Sequence, residues 1–247
     1  MTQYSVPSSA ASIGLSLADA TLAEDGSVWN FAFGANLSRR ILTGRRRIEP
    51  LESMPAVVYG WELSFDYQGL PFLEPGFGTL RKVTGMRDGN ELDHRVCVHG
   101  VVHRMTAADY QQLLVTEGGS GRNDVPGYRA VPVRCCVYQP SDSAIHPPSP
   151  CSTPTVSPGT EIVAVALVAT ADVIRPGTLP SDRYAKLLVS GAAAYGLDQE
   201  YQAFLQAHPR HVKTWAGITV VFFFYAVLML PLWVLLLPFW CCCGGTR

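Results

Sequence analysis

Apolar segments alternate along the chain with polar segments marked by Gly and Pro, and this pattern predicts both strands and helices. Apolar or aromatic runs of strand length occur at residues 28–33, 56–67, 79–83, 95–105, 128–138 and 161–170. Segments with helical start and stop signals occur at 107–115, 183–195 and 199–207. Residues 69–78 (GLPFLEPGFG) are too rich in Pro and Gly for regular structure, so they predict an ordered loop that carries aromatic side chains.

The first apolar run ends at a corner that suits a bound anion. Residues 28–33 (VWNFAF) lead into Gly34 and Asn36, and a helix-like segment begins at Ser38. A strand that breaks at Gly and turns into a helix brings together several backbone N–H groups that lack strand or helix partners. Gly34 also lets a ligand approach the backbone closely. The corner is therefore a candidate binding site for a carboxylate or an oxyanion, although many such corners hold no ligand.

One main domain is expected, with less regular segments before and within it. Residues 1–26 are rich in Ser and Ala, contain no Lys or Arg and lack the apolar run of a signal peptide, so we expect a flexible leader. The main domain is expected at 27–209. Within it, residues 139–159 are dense in Pro and Ser and predict a long surface insertion.

The C-terminal part of the chain has the composition of a membrane segment. Residues 215–240 include no charged residue, and as a helix these 26 residues would be about 39 Å long. A bilayer core requires about 20 apolar residues. Trp215 and Trp240 lie at the two ends, where interfacial aromatic residues are common. We therefore expect a transmembrane segment; the alternative, a buried core helix, needs a much larger domain around it.

Flanking residues predict how this segment is oriented. Arg210 and Lys213 precede it and only one charged residue follows it, so the positive-inside rule favours a main domain in the cytosol. The Cys-rich tail at 241–247 resembles a target for acylation beside a membrane. A simple span places that tail on the far side, whereas a re-entrant hairpin bent at two internal prolines keeps it in the cytosol. The sequence leaves both topologies open.

Charge and cysteine spacing exclude some classes of function. The formal net charge is −1, which gives no reason to expect nucleic acid as a partner. No CxxC pair occurs among the seven cysteines, so neither a zinc site nor a redox dithiol is indicated, and we expect reduced cysteines in the main domain. His99 and His103 can face one side of a strand as a metal pair, but no third ligand lies nearby in sequence. We predict no metal and no cofactor.

An acidic residue at a predicted helix end is the candidate for proton transfer. Glu117 follows an apolar helix and precedes two glycines, so its carboxylate either faces solvent or lies in a dry pocket. A dry pocket favours the protonated form of a carboxyl group, as acid–base catalysis near neutral pH requires. Three consecutive arginines at 45–47 are interpreted either as a solvated helix face or as a patch for phospholipid headgroups.

Five stretches together resemble the γ-glutamylcyclotransferase family in its fungal-type form, over roughly residues 28–209. They are 33–37 (FGANL), 69–77 (GLPFLEPGF), 98–105 with the helix that ends at Glu117-Gly118, 127–129 (GYR), and 180–184 (PSDRY) with Ser190-Gly191-Ala192, Gly196-Leu197 and Tyr201. The resemblance implies an α+β fold, a mixed β-barrel or sheet with flanking helices, to which the C-terminal transmembrane segment is added.

The resemblance also implies an activity that needs no cofactor. In this family the α-amino group of a γ-glutamyl compound attacks its own γ-carbonyl group, and 5-oxoproline is released. The implied catalytic residue is Glu117. The implied substrate-binding residues are Phe33, Gly34, Ala35, Asn36, Leu37 and Tyr128. The implied substrate is a γ-glutamyl amino acid, peptide or glutathione-derived conjugate, as in gliotoxin-type secondary metabolism.

Two residues depart from the pattern of the family. Phe33 stands where Tyr is usual and Ala35 stands where Ser is usual, and each change removes a hydroxyl group. Both are tolerable if the loop binds through backbone N–H groups; if a hydroxyl holds the substrate, specificity or activity changes. The alternative function is a non-catalytic, membrane-anchored binding module on the same fold, although the presence of Glu117 argues against it.

Overall fold

A computed structural model provides the structure of the chain. It describes residues 23, 25–83, 96–119, 125–138, 161–213, 219–220, 222–223 and 227. Most of the predicted leader, the whole insertion at 139–159, most of the apolar segment at 215–240 and the tail at 241–247 lie outside the described residues.

Seven strands and three α-helices make up the described domain. The strands are β1 (Val28–Ala32), β2 (Glu52–Tyr59), β3 (Trp61–Leu70), β4 (Glu74–Lys82), β5 (Cys97–Met105), β6 (Tyr128–Val137) and β7 (Glu161–Ala169). The helices are α1 (Ala107–Thr116), α2 (Asp182–Ala194) and α3 (Gln199–Ala207). The predicted α+β class is confirmed. Thr106, Ser181 and Asp198 cap the three helices, and the side chain of each accepts a hydrogen bond from a backbone N–H in the first turn.

Five of the strands close into a barrel in the order β1-β5-β2-β6-β7. β1 pairs antiparallel with β5 and parallel with β7, where Asn30 is opposite Val165. The Asn30 Nδ2 also donates to the Val165 carbonyl oxygen at 3.0 Å. Apolar residues from all five strands fill the interior, which explains why the runs at β5 and β7 are nearly continuous. The barrel places the end of β1, and the corner that follows it, against the start of α2.

The Pro- and Gly-rich segment at 69–78 corrects our sequence prediction. We predicted an irregular loop, but β3 continues to Leu70 and β4 begins at Glu74, so the two form a hairpin outside the barrel. Glycine is needed in this segment because the two strands approach each other closely, not because the chain is irregular. A Cβ at Gly69 would collide with the Glu74 carbonyl oxygen, and a Cβ at Gly76 would collide with the Phe65 carbonyl oxygen. The hairpin supplies one wall of the site described below.

The described part of the chain includes no helix with the length and apolar character that a bilayer crossing requires. Residues 219–220, 222–223 and 227 are helical, and the side chains of Val220, Phe222, Phe223 and Val227 are exposed. Cys97 is disulfide-bonded, whereas Cys135 and Cys136 are free thiols, so the expectation of reduced cysteines is wrong at Cys97.

The two histidines of β5 point into the interior and are held by hydroxyl groups. His99 Nδ1 lies 3.0 Å from the Tyr138 hydroxyl, and His103 Nδ1 lies 2.8 Å from Ser53 Oγ. Burial lowers the pKa of each histidine from 6.5 to about 4, against a weaker opposing effect of Asp198 on His99 and of the Asn36 backbone on His103. Both rings are therefore neutral in the folded protein near pH 7.

We expect these histidines to make the fold acid-sensitive between about pH 6.5 and pH 4. In that range the unfolded chain binds protons that the folded chain does not, so stability falls as the pH falls, by up to about 1.4 kcal/mol per pH unit for each histidine. Urea titrations at several pH values should show a flatter slope for His103→Gln. If the free energy of unfolding of His103→Gln depends on pH as steeply as that of the wild type, His103 does not cause the acid sensitivity.

Candidate active site

A cavity of about 310 Å³ opens where β1 ends, between the β3–β4 hairpin, the end of α1 and the start of α2. Its walls combine backbone, aromatic and charged groups. They are formed by Asn30, Phe31, Ala32, Phe33, Gly34, Ala35, Asn36, Ile41, Arg45, Arg46, Tyr67, Phe77, Gly78, Thr116, Glu117, Tyr128, Leu167, Arg183, Tyr184 and Leu187. The size is that of a small-molecule site.

The corner after β1 forms a short 3₁₀ turn, Ala35–Leu37, whose first residues face the cavity. The Leu37 N–H donates to the Gly34 carbonyl oxygen at 2.9 Å, so it is not available to a ligand. The Leu37 side chain is buried against Gly191 of α2. Among the described residues, the N–H groups of Gly34 and Asn36 have no acceptor, and they are the donors that remain for an anion.

The Glu117 carboxylate lines the same cavity and is hydrogen-bonded to the corner. Its Oε1 accepts from Arg46 at 2.6 Å and from Asn36 Nδ2 at 3.3 Å. The Glu117 side chain is 18% exposed, so it lies in the cavity and not in bulk water. Within the described structure no group donates to Oε2, which makes this the oxygen that can exchange a proton with a ligand.

Arg46 holds the end of α1 in place. It follows a π-helical turn, Arg40–Arg45, and is only 8% exposed. One guanidinium nitrogen donates to Thr116 Oγ1 and the other to Glu117 Oε1, each at 2.6 Å. Neither the solvated helix face nor the headgroup patch proposed for residues 45–47 therefore applies to Arg46. Its charge balances the Glu117 carboxylate within the site.

Tyr184 contacts both the corner after β1 and the β3–β4 hairpin. Its hydroxyl oxygen accepts from the Gly78 N–H at 3.1 Å and interacts with the Ala35 backbone. Burial raises the pKa of Tyr184 to about 12, although these backbone contacts act in the opposite direction. The hydroxyl therefore stays protonated at neutral pH. It joins the hairpin to the corner, since Gly78 belongs to β4.

Two stacked tyrosines form the wall between the hairpin and β6. The rings of Tyr67 and Tyr128 are 4.5 Å apart with an interplanar angle of 10°. Burial, and then the nearby Glu117 carboxylate, raise the pKa of Tyr128. Phe77 lies beside them, 6.2 Å from Tyr67 and 5.2 Å from Tyr184 between ring centroids. The aromatic faces of this wall suit the methylene chain of a small substrate.

Comparison with known proteins finds curated relatives and solved structures that are similar to this chain. No protein-family model matches the chain. It is 27% identical over 206 residues to γ-glutamyl cyclotransferase aclK of Aspergillus oryzae, a match that covers 81% of this chain and 69% of that one. It is 29% identical over 173 residues to γ-glutamyl cyclotransferase gliK of Aspergillus fumigatus, covering 67% of this chain and 56% of that one.

The chain is thus similar in sequence to fungal γ-glutamyl cyclotransferases. Solved structures agree at the level of the fold. One described as a γ-glutamyl cyclotransferase superposes with a TM-score of 0.54 at 20% identity, over 79% of this chain and 98% of that one. The structure of a human protein described as uncharacterized superposes with a TM-score of 0.53 at 21% identity. That match covers 76% of this chain and 92% of the human one.

The cyclotransferase-like fold brings most of the predicted site residues together. Phe33, Gly34, Ala35, Asn36, Glu117 and Tyr128 all lie on the wall of one cavity, although they are separated by up to 95 positions in sequence. Leu37 does not reach the cavity and belongs to the core. The sequence predicts several backbone N–H donors at this corner. In the described part of the chain, the N–H groups of Gly34 and Asn36 are the ones that remain available to a ligand.

Three residues that line the cavity were not predicted from the sequence. Arg46 looked like one of three exposed arginines, and only the structure distinguishes it from its neighbours. Tyr67 lies in what we predicted to be an ordinary strand. Tyr184 had one signal: it comes three residues after the N-cap Ser181, so it lies in the first turn of a helix that packs on the corner.

Gly34→Ala tests the close contact between the corner and Tyr184. A Cβ at Gly34 would lie 3.0 Å from the Tyr184 hydroxyl oxygen, so the corner must shift by a few tenths of an ångström. We expect the substitution to lower substrate affinity about tenfold, because misplaced backbone donors bind an anion less well. Gly44→Ala is the control, since nothing lies within 4 Å of a Cβ there. Equal KM values for the two variants would contradict this role of the corner.

Proposed function

We propose that this chain is a γ-glutamylcyclotransferase that releases 5-oxoproline from a γ-glutamyl amino acid, a γ-glutamyl peptide or a glutathione-derived conjugate. The observation that carries the proposal is that Glu117 and the corner at Gly34–Asn36 share one cavity. The similarity to fungal γ-glutamyl cyclotransferases supports the same activity. No cofactor is needed for this reaction.

In the proposed reaction the substrate supplies its own nucleophile. The α-ammonium group gives a proton to Glu117 Oε2, and the freed amine attacks the γ-carbonyl carbon. A new C–N bond closes the five-membered ring, and the ring nitrogen then loses a second proton to become a neutral lactam N–H. The original γ-amide C–N bond breaks, and the leaving nitrogen takes up both protons, passed through Glu117 one after the other, and departs as an ammonium group. Holding the substrate folded for this intramolecular attack can supply about 7–11 kcal/mol of the barrier.

The N–H groups of Gly34 and Asn36 are proposed to bind the negative charge of the substrate. Gly34 and Asn36 line the same cavity as Glu117, where their N–H groups can hold either the α-carboxylate or the oxygen of the carbonyl under attack. Because these donors belong to the backbone, the loss of hydroxyl groups at Phe33 and Ala35 does not remove them. This argument favours the enzyme over a non-catalytic binding module.

The charged groups at the cavity mouth are consistent with a peptide substrate. Arg45 is exposed and lines the cavity, and Arg183 lines it while its Nε contacts Glu74 Oε1 at 2.6 Å. A cation at the mouth suits a leaving group that carries its own carboxylate, as an amino acid or a peptide does.

The C-terminal apolar segment is proposed as a membrane anchor, with the main domain in the cytosol.

The function is tested by incubating the full chain, purified in detergent, with γ-glutamyl amino acids, γ-glutamyl peptides and glutathione S-conjugates. Release of 5-oxoproline is measured by mass spectrometry. We expect release from at least one compound class, abolished in the Glu117→Gln variant. Tight binding of these compounds without any release would support the binding module instead.

A further inference from the structure

The tip of the β3–β4 hairpin exposes two large apolar side chains. Leu70 is 64% exposed and Phe72 is 43% exposed. Phe72 also has a φ of 66°, a left-handed conformation that is uncommon for an aromatic residue. Phe72 lies in the tight turn that joins β3 to β4, where a positive φ is common, and this turn leaves its aromatic ring facing solvent.

The base of α2 lies beside this tip. Leu70 is paired with Glu74 in the hairpin, and Glu74 forms the ion pair with Arg183. Two residues further along β4, Gly76 forms a parallel bridge with Pro180. The hairpin tip is therefore fixed to the segment 180–183.

The C-terminal end of the described domain is fixed to the same segment. The His211 N–H donates to the Pro180 carbonyl oxygen at 2.9 Å, and His211 forms a bridge with Ser181. Arg210 forms an ion pair with Asp182 at 2.6 Å. The chain therefore leaves the domain at residue 213 beside the hairpin, and its sequence then continues into the apolar stretch at 215–240.

We propose that the hairpin tip, Leu70 to Leu73, inserts into the interface of the same bilayer that receives the C-terminal apolar segment. The hairpin tip and residues 210–211, which precede the apolar stretch in sequence, both contact the segment 180–183, so a membrane that receives this stretch is within reach of the tip. Exposed Phe and Leu side chains on a tight turn suit the boundary between headgroups and acyl chains. This inference rests on the proposed anchor and is independent of the proposed reaction.

The insertion has a consequence for the cavity. Arg183 belongs both to the cavity wall and to the contact with the hairpin, so the cavity mouth lies close to the proposed membrane face. The exposed Lys213 lies at the C-terminal end of the domain, where a cation can meet lipid headgroups. The domain is thus held by two contacts, which fixes its orientation on the membrane.

Photo-crosslinking of the full chain tests this orientation. p-Benzoylphenylalanine is introduced separately in place of Phe72, Leu70, Leu51 or Phe222, and each protein is reconstituted in phosphatidylcholine vesicles and irradiated. Leu51 is the matched control, because it is 53% exposed and its N–H pairs with Arg104 at the barrel end where β1 begins. Phe222, in the apolar stretch, reports on the anchor itself. Lipid adducts are counted by mass spectrometry.

We expect several-fold more lipid adduct at positions 70 and 72 than at 51, and abundant adduct at 222. Adduct at 222 with equal, low yields at 72 and 51 would overturn the insertion of the hairpin while leaving the anchor. The absence of adduct at all four positions would overturn both. Release of 5-oxoproline by the same samples is measured separately, so neither result depends on the proposed function.

Discussion

Glu117→Gln is expected to lower kcat for 5-oxoproline release at least about 100-fold, the usual contribution of a positioned acid–base group. The amide keeps the size of the carboxylate and can still meet Arg46 and Asn36, but it cannot accept the proton of the α-ammonium group. Substrate binding should change far less than turnover. The measurement is the steady-state rate with the substrate identified for the wild-type chain.

Glu161→Gln is the matched control for this prediction. Glu161 begins β7, and its side chain is solvent-exposed and far from the cavity wall residues, so its loss should leave the rate within about twofold of wild type. Circular dichroism establishes that both variants are folded. A Glu117→Gln enzyme that keeps the wild-type rate would eliminate Glu117 as the proton carrier.

Arg46→Leu is expected to have the second largest effect, on both activity and stability. Removing the guanidinium leaves the largely buried Glu117 carboxylate without its cation, which should lower the free energy of unfolding by about 3 kcal/mol. The carboxylate also loses the clamp that directs Oε2 into the cavity, so kcat should fall about 10- to 100-fold. Urea titration and steady-state kinetics measure the two effects.

Arg46→Lys separates the charge from the geometry. Lysine keeps the positive charge, but a single ammonium group cannot hold Thr116 and Glu117 in the parallel arrangement of the guanidinium. We expect Arg46→Lys to recover most of the stability and only part of the activity. If Arg46→Lys and Arg46→Leu reduce kcat equally, the positive charge does not contribute to turnover. If Arg46→Lys is fully active, the two-point contact with Thr116 and Glu117 does not contribute to turnover.

The local elements of this fold could be predicted from the sequence. Apolar runs identify β1, β5, β6 and β7, and the caps at Thr106, Ser181 and Asp198 mark the helix starts. These features depend on side chains within a few positions of one another. The hairpin at 61–82 could not be predicted in full, because its glycines serve cross-strand contacts that no local rule distinguishes from a loop.

The candidate site was predictable only in part, and through resemblance. Glu117 and the corner at Gly34 have weak signals by themselves, and the family pattern joins them. Arg46, Tyr67 and Tyr184 were missed because their roles depend on which side of an element is buried. For Arg46 in particular, the buried one of three consecutive arginines is selected by the irregular π-helical turn before it, and its geometry does not follow from composition.

The closure of the barrel sets the order in which the protein can assemble during synthesis. β1 is made early, but its partner β7 is made about 135 residues later, as the Asn30–Val165 bond shows. Contacts so distant along the chain slow folding. The corner after β1 therefore cannot take its final shape on the ribosome until β7 and α2 have emerged, and a chain arrested before residue 161 would expose an unpaired, apolar strand edge to chaperones.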